Sequence, residues 1–170
     1  MLKKVNSAAI VVLLFNASLA IAQTNAAKQS TVGVWELDLK QSKFGSEAPP
    51  KSATLTILKD TPDAVAWRYD GVDPTGKSVK FSWSGPVDGS MQDLKDGDGQ
   101  VVGKESMKRD GDAILRHTEF PGLGTFDARG TVSADANTFT DVSTMKSNDG
   151  KTSTDTTVYH RVGGAKPVSK

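Results

Sequence analysis

The chain is expected to fold as an all-β protein, an antiparallel up-and-down barrel of about eight to ten strands. Three observations predict this. No long window carries apolar residues at helical spacing. Short segments of alternating apolar and polar residues recur instead, separated by Gly, Asp, Asn and Pro. The connectors also place Asp or Asn beside Gly, residues that enter left-handed turn conformations at little cost.

The first expected strand is "TVGVWELDL" (31–39), in which Trp35 supplies a large ring to bury. The corner after it, "KQSKFGSEAPPKS" (40–52), is too long for a tight hairpin. Pro49 and Pro50 disfavour helix there, so an extended crossing or a lid over one barrel end is expected. Strands "SATLTILK" (52–59), "AVAWRYD" (64–70) and "SVKFSWS" (78–84) follow. In these, Leu55 and Ile57 share one face, as do Val65, Trp67 and Tyr69, and then Val79, Phe81 and Trp83. Thr54, Thr56, Arg68, Lys80 and Ser82 point the other way, because side chains alternate with period two along a strand.

"SMQDLK" (90–95) has a weaker strand pattern. The remaining segments are "QVVGKESMKR" (100–109), "AILRHTEF" (113–120), "TFDARGTVS" (125–133), "TFTDVSTMK" (138–146) and "STDTTVYHRV" (153–162). Turns are expected at "DGVDPTGK" (70–77), "DGDGQ" (96–100), "RDGD" (109–112) and "NDGK" (148–151). Such connectors join neighbours, which makes a meander. An open meander of this size leaves unpaired edges, and closure into a barrel removes them. A two-sheet β-sandwich produces the same short-strand pattern and is the alternative. No fixed-period repeat is present; Asp-Gly recurs because hairpins recur.

The first residues have the three parts of a secretory signal: basic Lys3 and Lys4, an apolar run from Ala8 to Phe15, and small residues at Ala20 and Ala22. Cleavage after Ala22 is expected. The apolar run falls short of the roughly 20 residues that a spanning helix needs. The resulting organisation is a signal peptide (1–22), a flexible leader (23–31), one barrel domain (32–163) and a tail (164–170). A periplasmic or extracellular location follows, with no membrane span.

The full chain holds 21 basic and 20 acidic side chains, and removal of Lys3 and Lys4 leaves 19 basic ones. A balance this even gives no general attraction to nucleic acid or anionic lipid. Cysteine is absent, so neither disulfides nor thiol catalysis contribute. No Gly-x-Ser-x-Gly elbow or phosphate loop appears, and no residue is singled out as catalytic. No cofactor is expected. His117 and His160 lie on different strands without local ligand spacing, and "DLKDGDG" (93–99) lacks the closing glutamate of a calcium loop, so no metal site is expected.

The candidate binding residues are the rings Trp67, Tyr69, Phe81 and Trp83. They lie on two strands that form a plausible hairpin, where they can meet on one face. Arg68 and Arg116 are candidates for a charge at the rim. The later strands also carry Glu105, Arg116, Asp127, Arg129, Asp141 and Asp155, which must face solvent, pair, or line a polar pocket.

Gly33-Val34-Trp35 near the expected mature start resembles the Gly-x-Trp of the lipocalin and calycin group. Its order with "SKF", "PPKS", "DGVDPTGK" and "TTVYHR" across residues 33–161 is similar to bacterial exported lipocalin-like proteins of largely uncharacterised function. The resemblance implies an up-and-down barrel anchored by Gly33 and Trp35, with a late basic residue packed over the tryptophan. Arg161 matches that role best, and Arg129 next.

Together these readings lead to an exported non-enzymatic protein that binds a small apolar or aromatic molecule. A structural or protein-interaction module of the envelope is one alternative, and an enzyme with an unrecognised site is another.

Overall fold

The computed structural model describes residues 30–46 and 48–163. The expected signal peptide, the leader up to residue 29 and the tail 164–170 lie outside the described residues. Among those described, ten strands follow one another: β1 (Gly33–Leu37), β2 (Ser52–Asp60), β3 (Ala64–Val72), β4 (Ser78–Pro86), β5 (Gln92–Asp96), β6 (Val101–Asp110), β7 (Ala113–Phe120), β8 (Gly124–Val132), β9 (Thr138–Ser147) and β10 (Thr152–Arg161). Each pairs antiparallel with its neighbour in sequence, and β1 closes onto β10. The closing ladder pairs Trp35 with Arg161 and Leu37 with Tyr159. A continuous ring of ladders leaves no second sheet, so the sandwich alternative is excluded.

The strand limits differ from the sequence reading in instructive places. β3 continues past Asp70 through Gly71 and Val72, which the sequence reading gave to a turn. The turn is only 73–77, because Asp73 organises it alone: its carboxylate accepts from Thr75 Oγ1 (2.7 Å) and from the amides of Gly76 and Lys77 (both 2.9 Å). The weakly patterned 90–95 segment holds most of β5, which starts two residues and ends one residue later than read. Leu94 gives it an inward anchor at 2% exposure.

One end of the barrel is closed. The guanidinium of Arg161 lies 4.2 Å from the centroid of the Trp35 ring. It also donates to the carbonyls of Ala136 (2.7 Å), Val32 (2.6 Å) and Ser30 (2.7 Å). Trp35 itself has no exposed surface, and its Nε1 donates to the Thr31 carbonyl at 2.9 Å. Ser30 and Thr31, read as the end of the leader, are thus tied to the barrel. Gly33 has φ +147°, and a Cβ there would meet Arg161 Nη1 at 2.7 Å. Arg129, the second match to the capping role, lies on the outside and pairs with Asp110.

The interior is not packed solid. One apolar cluster joins Trp35, Ala53, Ile57, Phe139 and Tyr159. The other joins Val65, Trp67, Trp83, Leu94 and Met107. Between and above them, toward the end where β1 leaves for the corner, space remains.

Candidate ligand-binding cavity

A cavity of about 380 Å³ occupies the barrel beneath the corner that follows β1. Its size is within the range common for small-molecule sites. The period-two rule decides its walls. Register pairs Tyr69 with Phe81, Thr118 with Phe126, and Phe139 with Tyr159, and each pair faces inward. The Tyr69 and Phe81 rings lie 6.2 Å apart, Phe81 and Phe120 6.4 Å, and Phe139 and Tyr159 6.1 Å. These tilted contacts line a pocket with aromatic faces and edges.

Phe44, Ala48 and Pro50 of the corner reach the same cavity and partly cover it. The corner is held along β10 rather than hanging free. Lys43 forms a bridge with Thr156, Gly45 N–H donates to Asp155 Oδ1 at 2.8 Å, and Ser46 N–H donates to Ser153 Oγ at 3.1 Å. The sequence expectation of a crossing or lid therefore has a concrete form, with Pro50 on its underside.

The polar groups lie deep. Glu105 is 2% exposed. Its Oε1 accepts from Trp67 Nε1 at 3.0 Å and its Oε2 from Thr118 Oγ1 at 2.9 Å. Its backbone carbonyl accepts from Trp83 Nε1 at 3.1 Å. Burial pushes the Glu105 carboxyl above the usual range, with Arg116 and the two side-chain donors opposing that shift. Arg116 and Asp141 form a buried ion pair. Burial works against the charge on Arg116, but Asp141 and Glu105 more than offset it and hold its pKa above the ordinary value. The guanidinium also sits 5.5 Å from the centroid of Phe126. Burial likewise raises the pKa of the Tyr69 and Tyr159 phenols.

The sequence candidates separate into distinct roles. Trp67, Tyr69 and Phe81 line the cavity. Trp83 is buried among apolar neighbours, and the cavity lining excludes it. Arg68 is on the outer wall, 58% exposed and 3.7 Å from Asp70, so it offers no rim charge to the interior. The physical reason is the alternation itself, which sends Arg68 outward when Trp67 and Tyr69 point in. Arg116 belongs to the interior, but at depth beside Asp141 and away from the rim.

The residues that sequence reading missed come from the far side of the barrel: Phe120, Phe126, Phe139 and Tyr159. Their signal was present as alternation, in Phe126-x-Ala128-x-Gly130-x-Val132 and Phe139-x-Asp141-x-Ser143-x-Met145. It was masked because charged residues occupy inward positions in the same strands. Four carboxyl-bearing residues, Asp73, Glu105, Asp141 and Asp155, line the cavity with one basic residue, Arg116.

A second cavity of about 50 Å³ lies toward the closed end, and Leu55, Trp67, Arg116 and Phe139 separate the two. His117 sits outside the barrel, its Nδ1 2.7 Å from Asp127 Oδ1. His160 is not part of the cavity lining either, and its Nε2 lies 3.2 Å from Asp38 Oδ2. Among the described residues, no group of three or more His, Asp or Glu side chains is arranged to hold a metal ion, and no helix is long and apolar enough to cross a membrane.

No family model and no curated protein sequence matches the chain. Solved structures of similar fold do. Zebrafish ileal bile acid-binding protein complexed with cholic acid superposes with a TM-score of 0.50 at 16% identity, covering 78% of this chain and all of that one. The wild-type fluorescent protein UnaG gives a TM-score of 0.49 at 14% identity, covering 77% of this chain and 96% of that one. The likeness is one of fold, a closed antiparallel β-barrel.

Proposed function

We propose that this protein is an exported, non-enzymatic carrier or receptor for a small apolar or aromatic molecule held inside the barrel. One observation carries the reading: a cavity of about 380 Å³ walled by Tyr69, Phe81, Phe120, Phe126, Phe139 and Tyr159, with a few buried polar groups at its base. Apolar walls supply binding energy through the area removed from water, and sparse polar groups fix orientation. The interior ionisable groups favour binding over catalysis. Arg116 is paired with Asp141, and Glu105 accepts from two side-chain donors. Export rests on the amino-terminal pattern of Lys3, Lys4, the apolar run and Ala20-Ile21-Ala22.

Trp67 makes the test direct, because its ring lines the cavity. Titration with naphthalene-based hydrophobic probes is expected to change tryptophan fluorescence saturably, with one probe bound per chain. A response that stays linear with probe concentration, together with no heat of binding, would refute the reading.

A further inference from the structure

The charge inside the cavity goes further than the apolar walls and names the ligand's head group. This step rests on the binding reading above. We infer that the cavity selects an apolar or aromatic amine, and that it discriminates against carboxylates of the same shape.

The ionisable part of the lining is predominantly acidic. Arg116 is its one basic residue among the described residues, against the carboxyl groups of Asp73, Glu105, Asp141 and Asp155. The charge of Arg116 is already offset, since its Nη2 pairs with Asp141 and the guanidinium lies near Phe126, although its buried Nε has no partner. An incoming carboxylate would therefore meet a cation already balanced by Asp141, with further carboxyl groups around it. Like charges brought together there are strongly unfavourable.

An amine meets the opposite situation. The Asp141 side chain is 8% exposed and faces inward from β9, and its Oδ1 has no hydrogen-bond donor while Oδ2 is held by Arg116. Such an acceptor is costly to leave unpaired, and a donor on a ligand would satisfy it after a small side-chain rotation. Asp155, nearer the mouth, gives one oxygen to the Gly45 amide and supplies a second negative charge along the entry path. Specificity then comes from attraction for one head group and from built-in repulsion of the other.

The test uses three probes that share one ring system and differ in the head: naphthylmethylamine, naphthylmethanol and naphthoate, titrated calorimetrically near neutral pH. The expected order is amine, then alcohol, then carboxylate, with the carboxylate about tenfold or more weaker than the amine. Naphthoate binding as tightly as the amine would overturn the inference while leaving the binding reading intact. Failure of all three to bind would remove both.

Two variants sharpen the result. Asp141→Asn leaves Arg116 without its counter-ion and should invert the order, making naphthoate the tightest. Asp155→Asn keeps the acceptor for Gly45 and is expected to fold normally. It should narrow the amine-to-carboxylate ratio several-fold. If Asp141→Asn does not fold, the Asp155→Asn ratio decides, and an unchanged ratio counts against the inference.

Discussion

Trp67 on β3 donates its indole N–H to Glu105 on β6 at 3.0 Å, across the inside of the barrel and between strands that are not neighbours. This contact joins a ring that lines the cavity to the most deeply buried carboxyl group. With Thr118 on the other oxygen and Trp83 on the backbone carbonyl, Glu105 is the point where two walls of the barrel meet.

Glu105→Ala should therefore destabilise the protein by about 3 kcal/mol, because it leaves buried donors on Trp67 and Thr118 without acceptors. Glu105→Gln retains an acceptor and should cost less. The pH dependence has a definite sign. Burial raises the folded-state pKa of Glu105, so its favourable contribution is fully present in acid and is lost as pH rises through the folded value. The stability of Glu105→Gln relative to the wild type should accordingly improve from acid to neutral pH. Urea unfolding at a series of pH values checks this, and a difference that is flat or declines with pH would contradict it.

At the closed end, Trp35→Ala should cost about 3–5 kcal/mol, as expected for a large buried ring. Arg161→Ala should cost about 2 kcal/mol through the lost stacking and the carbonyl hydrogen bonds. Arg161→Lys should recover only part of this, since an ammonium cannot span three carbonyls in the planar arrangement of a guanidinium. Loss below roughly 1 kcal/mol for Trp35→Ala in chemical denaturation would show that the ring is not an anchor.

Ser143 is buried and faces the cavity. Ser143→Phe should fill part of the space and weaken probe binding at least tenfold, while changing stability by no more than about 2 kcal/mol. Calorimetric titration alongside thermal unfolding separates the two effects. Undiminished binding would place the ligand elsewhere.

Outside the barrel, the hydrogen bond to Asp127 raises the pKa of His117, against a small opposing effect of burial. Its contribution to stability is present below the ordinary imidazole value and is lost as pH rises through the folded value. In an NMR titration, His117 should show a midpoint above the usual imidazole range, and Asp127→Asn should bring that midpoint down.

The sequence by itself determined the strands, their alternation and their hairpin order. Asp-Gly connectors restrict the chain to tight reversals, and a period of two sets which side chains can share a face. That was enough to place Trp67, Tyr69 and Phe81 together and to send Arg68 to the opposite face. Closure decided the rest. Only when β1 paired with β10 did Phe120, Phe126, Phe139 and Tyr159 come round to face the first-half rings across a shared cavity. The same closure gathered Glu105, Arg116 and Asp141, from three different strands, into one interior group. Alternation gives two faces but not which one is inside, and spacing along a chain carries no information about what lies across a barrel.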